Sequence, residues 1–200
     1  FKILNKKNNV YVISKSKKTR KIFFSSINQV KKIDFEYIII SNETHKHFKT
    51  LIELEKFYKN KKILIEKPIF NKIPKNYKPK NTIYVGYNFR FHEIILFIKK
   101  FITLKKIYQI DLYCGYDLRK WRKRKYDETY SSNLKKGGGV LFDLSHEIDY
   151  ANWIFGKPKI IHSQVSKISK LKIKSEDFVF FSAKLKNSII LNTTLNYLSK

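Results

Sequence analysis

The sequence predicts an α/β fold in two parts, a parallel-sheet unit over residues 1–104 and an α+β unit with an open antiparallel sheet over residues 105–200. Three observations predict it. Short β-branched runs alternate with a helical apolar pattern before Leu104. Strands follow one another without helices after residue 159. Between these regions lies a long polar segment that ends in Gly137-Gly138-Gly139.

Residues 9–14 read as a short apolar strand leading into a basic turn, and residues 22–30 as a weak strand and a short helix. Residues 35–41 are aromatic and β-branched with little alternation, which predicts a strand buried on both faces. Thr44 opens a helix whose apolar positions, Phe48, Leu51, Ile52, Leu54 and Phe57, follow the helical period. Strands are expected over 62–65 and 82–87, a helix over 92–101 and a strand over 107–113. The spacing of Leu141, Leu144, Ile148, Ala151 and Ile154 predicts one helix over 140–155. Three strands then follow, over 160–165, 178–185 and 188–195, with Lys186-Asn187 as the hairpin turn of the last two.

Composition narrows the function classes. Hydrophobic residues make up 42% and aromatics 16%, too many for a disordered chain. No run of about 18 apolar residues suggests a membrane span, and residues 1–13 lack the pattern of a signal peptide. Cys114 is the only cysteine, so neither a disulfide nor a zinc cluster is expected, and a reducing cytoplasm is the natural setting. The formal charge of +27 would suit nucleic acid, but only five of the 43 basic residues are arginine, the preferred reader of phosphate and guanine. Lysine is spread along the chain beside Ile, Asn, Phe and Tyr, a set that A+T-rich codons explain. No nucleic-acid partner is therefore expected. The chain contains no methionine and its last strand is just finishing, which predicts a fragment cut at both ends.

A parallel α/β unit places a nucleotide site at the carboxyl ends of its strands. The fingerprint G-x-G-x-x-G is absent, since no glycine precedes Gly86, and it is expected upstream of residue 1. After the first visible strand come Ser14, Lys15, Ser16 and Lys18, where an NAD-preferring domain would carry an acidic residue. Hydroxyls and ammonium groups suit a 2′-phosphate and favour NADP over NAD; a solvated basic turn is the other reading.

Four segments carry a family resemblance. They are Ile40-Ser41-Asn42-Glu43-Thr44-His45-Lys46-His47, then Ile65-Glu66-Lys67-Pro68, then Val85-Gly86-Tyr87-Asn88-Phe89-Arg90-Phe91-His92. The fourth is the helix opening from Gly137 through Asp143 and His146 to Asp149. In this order and spacing the chain resembles the glucose–fructose oxidoreductase and inositol dehydrogenase family (Gfo/Idh/MocA). The resemblance implies a Rossmann-type dinucleotide domain lacking its first strand and glycine loop. It also implies an incomplete substrate domain whose open sheet forms a homo-oligomer.

The implied chemistry is hydride exchange between NADP or NAD and a sugar, sugar-nucleotide or cyclic polyol, with no metal and no membrane. That exchange needs a proton acceptor near the hydroxyl and a cation to steady the alkoxide. Lys67 fits the cation, aimed by Pro68. His146 fits the acceptor, with a reference pKa near about 6.5. Asp143, three residues earlier on the same expected helical face, would orient or charge-balance them. The commoner family pattern spaces this aspartate and histidine by four. Ser41, Asn42, His45, Glu66, Trp121 and Arg122 are the further cofactor candidates, with packing over the cleft an equal reading for Trp121. Asn88, Arg90, Tyr126 and Tyr130 are the substrate-cleft candidates, and Asp149 would cap or brace the helix. A non-catalytic binder on the same fold is the alternative; it would need neither Lys67 nor His146.

Overall fold

The computed structural model of the chain describes residues 8–14, 23–102 and 106–199. The first half is built from parallel strands. Strand β1 (Val12–Ile13) pairs with β2 (Phe23–Phe24), and β3 (Tyr37–Ile40), β4 (Lys62–Ile65) and β5 (Thr82–Val85) form a second parallel sheet in that order. Helix α1 (Thr44–Leu54) crosses from β3 to β4 and buries Leu51 and Leu54 against Ile40, Ile63 and Ile65. These three strand residues all point to one face, because side chains alternate along a strand.

The opposite face corrects the expectation of a doubly buried strand. Tyr37 is 45% exposed, Ile39 42% and Tyr84 47%, so among the described residues the second face is only thinly covered. The period-2 alternation is real but invisible in a run where both faces are apolar.

Helix α2 (Glu93–Ile102) leads to the second half, where β6 (Gln109–Gly115), β7 (Lys159–Ser166), β8 (Phe178–Lys184) and β9 (Ile190–Asn196) form a sheet ordered β6-β9-β8-β7. Strands β7, β8 and β9 make the expected antiparallel meander, and Lys186–Ser188 turns β8 into β9 with Asn187 at φ 58°. Strand β6 differs. It runs parallel to β9, so the sheet is mixed. After β6 the chain traverses residues 116–158 before β7, a crossover long enough to bring β9 back alongside β6 in the same direction.

The single helix expected over 140–155 is two: α3 (Val140–Asp143) and α4 (Ser145–Phe155), broken at Leu144 with φ −97° and ψ 28°. Both pack on β8 and β9 around Val140, Leu144, Ala151, Val179, Leu191 and Leu195. The apolar spacing continues through the break, which is why periodicity reads one helix.

Candidate active site

The two halves meet where β3 and β4 end and α3 and α4 begin. The glycine run makes that approach possible. Gly137 has φ +81°, and a Cβ there would stand 2.7 Å from the Thr44 Cβ at the start of α1. A Cβ on Gly138 would overlap the carbonyl oxygen of Tyr130. Only glycine lets three backbone segments crowd together in this way. His45 Nδ1 lies 3.3 Å from the Lys136 carbonyl oxygen, so His45 is used in joining the halves.

Lys67 follows β4 directly, and its peptide to Pro68 is cis. The ammonium donates to the main-chain carbonyl of Asp143 across the junction, 2.6 Å away. Burial pushes the Lys67 pKa down. The nearby carboxyls of Asp143, Glu147 and Glu66 oppose that, and Arg122 adds slightly to the lowering. The result is a partly desolvated cation held at a junction, the kind of charge that steadies a developing alkoxide.

His146 lies in the first turn of α4. Its ring stacks on Phe89 at 4.3 Å between centroids and meets the edge of Tyr87 at 5.6 Å. Nδ1 is buried and has no hydrogen-bond partner among the described residues. The pKa is pulled down to about 4, first by burial and then by the charge of Lys67, with Asp149 opposing. The value near 6.5 expected from sequence therefore does not hold: the aromatic walls favour the neutral ring. At neutral pH His146 carries no charge and keeps a free lone pair.

Asp143 departs furthest from expectation. The break at Leu144 puts it on a different helix from His146, so the two share no helical face. Its carboxylate is 3% exposed and takes a 2.5 Å hydrogen bond from the Tyr197 hydroxyl. Tyr130 stands beside it, with its pKa raised by burial and then by the Asp143 charge. Only the main-chain carbonyl of Asp143 touches Lys67.

The remaining candidates divide. Ser41 and Asn42 follow β3 and Glu66 follows β4, side by side because Glu66 N donates to Ile40 O at 2.9 Å. Ser14 stands at the end of β1, while Lys15, Ser16 and Lys18 lie outside the described residues. Arg122 donates to the Tyr130 hydroxyl at 3.0 Å and lies over its ring. Trp121 is turned into the second core against Tyr197, the packing reading of the two. Tyr126 lines a separate cleft of about 240 Å³ with Asp117, Arg119 and Tyr197. Asn88 is exposed. Arg90 is locked in a two-point pair with Asp149, at 2.8 and 2.5 Å, so Asp149 braces α4 against the first half. Burial and then Glu147 push the Cys114 thiol up to about 12.

Sequence reasoning missed three participants. Tyr197 partners Asp143 from 54 residues away, with no sequence signal. Tyr87 and Phe89 wall His146, and their signal was present in the aromatic run before His92. No group of three or more His, Cys, Asp or Glu among the described residues is placed to hold a metal, and no helix there is long and apolar enough to cross a membrane.

Fold and junction define an α/β protein, parallel sheets in its first half and a mixed sheet in its second, with Lys67, Asp143 and His146 brought together between them. Residues 104–200, just under half of the chain, match the family model described as the GFO/IDH/MocA C-terminal domain, and that part of the chain belongs to the Gfo/Idh/MocA family. No curated protein matches the chain by sequence. Among solved structures it is similar to the WlbA dehydrogenase from Bordetella pertussis in complex with NADH and UDP-GlcNAcA. That match has 15% identity and TM-score 0.74, and covers 88% of this chain and 56% of that one. It is also similar to levoglucosan dehydrogenase in complex with NADH and levoglucosan, at 18% identity, TM-score 0.72, and 88% and 52% coverage. A third is aldose-aldose oxidoreductase from Caulobacter crescentus complexed with glycerol, at 16%, TM-score 0.71, and 88% and 55%. The chain thus spans just over half the length of these structures.

Proposed function

We propose that the protein carrying this chain is an NAD(P)-dependent oxidoreductase that exchanges hydride with a carbinol or ketone of a sugar, sugar-nucleotide or cyclic polyol. The observation that carries the reading is the meeting of Lys67 and His146 at the junction: one partly desolvated cation beside one neutral ring with an unbonded nitrogen. A pure binder has no use for that pairing. The described relatives crystallised with NADH, UDP-GlcNAcA and levoglucosan are consistent with it.

The cofactor half rests on strand order. Within the described residues β1 pairs only with β2, and β3 pairs with β4, so both blocks have a free edge. Tyr11 and Phe35, just ahead of β1 and β3, pack edge to face at 5.6 Å. One strand inserted between β1 and β3 would give β2-β1-x-β3-β4-β5, the doubly wound order of a dinucleotide domain with x as its first strand. We therefore read residues 1–104 as that domain without its first strand and glycine loop, and residues 105–200 as the substrate domain.

The donor set fits the nicotinamide half of the cofactor: the hydroxyl of Ser41, the amide of Asn42 and the ammonium of Lys67 sit at adjacent strand ends. When bound, nicotinamide supplies a site that gives or takes hydride. The chain's own residues handle the proton. His146, neutral at physiological pH, accepts it from a carbinol, and Lys67 holds positive charge against the alkoxide. In the reverse direction the protonated His146 ring returns that proton to the alkoxide, while Lys67 keeps its charge. Asp143, tied to Tyr197 and Tyr130, fixes the carbonyl that holds Lys67. NADP is favoured through Ser14, Lys15, Ser16 and Lys18. A homo-oligomer through the second sheet fits the exposed apolar residues of β7, Ile160, Ile161 and Val165.

The test follows NAD(P)H absorbance in both directions with the natural gene product, using nucleotide-linked and free amino sugars and inositols. Turnover with at least one member is expected. Binding of cofactor and sugar without turnover of any would favour the non-catalytic reading.

A further inference from the structure

We propose that His47 is a positioning residue that fixes the backbone carrying Lys67. This deepens the reading above and rests on Lys67 acting at the reacting hydroxyl.

His47 lies on the inner stripe of α1, with Thr44, Leu51 and Leu54, and is only 1% exposed. An apolar residue would satisfy that stripe. The imidazole instead reaches both neighbouring strand ends. Nε2 lies 2.9 Å from the Asn42 carbonyl oxygen, just after β3. Nδ1 lies 3.0 Å from the Ile69 carbonyl oxygen and 3.2 Å from that of Pro68, just after β4. Carbonyl oxygens only accept, and a neutral ring donates from one nitrogen alone; with the proton on Nδ1 the ring donates to the Ile69 and Pro68 carbonyls, the ones that follow Lys67. One buried ring thereby lies between the segment bearing Ser41 and Asn42 and the segment bearing Lys67, and holds the latter.

The consequence for Lys67 is direct. Its ammonium is hydrogen-bonded at its tip to the Asp143 carbonyl at 2.6 Å, and its backbone is followed at once by the two residues whose carbonyls face His47 Nδ1. A side chain of the size of leucine would fill the space but leave the Pro68 and Ile69 carbonyls without that donor. An unpaired buried polar group is unfavourable, and the segment can relieve it by shifting toward water. A displacement of about 1 Å at a reacting group is enough to cost up to about 10² in rate.

The test compares wild type, His47→Leu and His47→Gln in the natural gene product, with two readouts. One is kcat and KM. The other is the rate at which Lys67 is acylated by an amine-directed reagent, measured by peptide mass spectrometry against surface lysines, which needs no activity. His47→Leu is expected to lower kcat by about 10–100-fold with KM little changed, and to alter Lys67 acylation severalfold while surface lysines keep their rates. His47→Gln retains a donor toward one side and is expected to fall between. It also supplies the answer if His47→Leu does not fold. Unchanged Lys67 acylation in a folded variant overturns the clamp, whatever the activity does. Altered acylation with wild-type kcat upholds the clamp and overturns instead the role given to Lys67.

Discussion

Replacing His146 by phenylalanine should make the protein more tolerant of acid, by an amount that follows from the ring's surroundings. Burial against Phe89 and Tyr87, with Lys67 nearby, brings the His146 pKa from 6.5 to about 4. The unfolded chain therefore binds a proton at this residue between those two pH values, and the folded protein does not. Stability rises with pH wherever the unfolded state binds more protons. The contribution is thus intact above pH 6.5 and is lost progressively as pH falls toward 4. Each pH unit of that gap is worth about 1.36 kcal/mol. With the ring's remaining contact with solvent allowed for, about 2 kcal/mol should be lost between roughly pH 7.5 and 4.5. His146→Phe preserves a ring to stack on Phe89 and removes the titration. Urea denaturation of both proteins at the two pH values gives the comparison, and it cancels the carboxylates that titrate in both. Wild type should lose about 2 kcal/mol more than the variant. Equal losses would mean that the ring is not desolvated, and the neutral base in the proposed chemistry would go with it.

Other perturbations test the junction. Tyr197→Phe removes the hydroxyl bound to the buried Asp143 carboxylate and should cost about 1–3 kcal/mol; thermal denaturation showing no loss would unseat that bond. Gly138→Ala should abolish folding or cost several kcal/mol, because its Cβ meets the Tyr130 carbonyl, whereas Gly156→Ala, with nothing within 4 Å, should lose only about 1 kcal/mol from its φ of +87°. Comparable losses would show that Gly138 is not packed against the Tyr130–Ser131 backbone. In a side-by-side titration NADP(H) should bind more tightly than NAD(H); the reverse order would make the basic turn after Ser14 merely solvated.

Local pattern carried much of the fold into the sequence. Residues 62–65 were legible because the apolar run Ile63–Ile65 is bounded by polar residues, and α1 because Phe48, Leu51, Ile52 and Leu54 keep the helical period. What escaped depended on tertiary placement. The break at Leu144 leaves the apolar spacing intact, since α3 and α4 bury the same side. The parallel pairing of β6 with β9 is set by a crossover rather than by either strand. At the site, Lys67 and His146 were legible because motif order singles them out. The orientation of Asp143 was not, because its partner Tyr197 lies in β9's continuation, 54 residues on. His47 was hidden for another reason: a polar residue among lysines reads as a surface position, and only its three carbonyl neighbours reveal that it is buried.

The central claim is that Lys67 and His146 act together on a reacting hydroxyl. The most direct measurement is kcat for Lys67→Ala and His146→Ala in the natural gene product, with cofactor affinity and thermal stability recorded alongside. Each variant should lose about 10²–10⁴ in kcat while binding NAD(P)H nearly as wild type does and remaining folded. Wild-type turnover in both would contradict the account and leave the junction a structural feature alone.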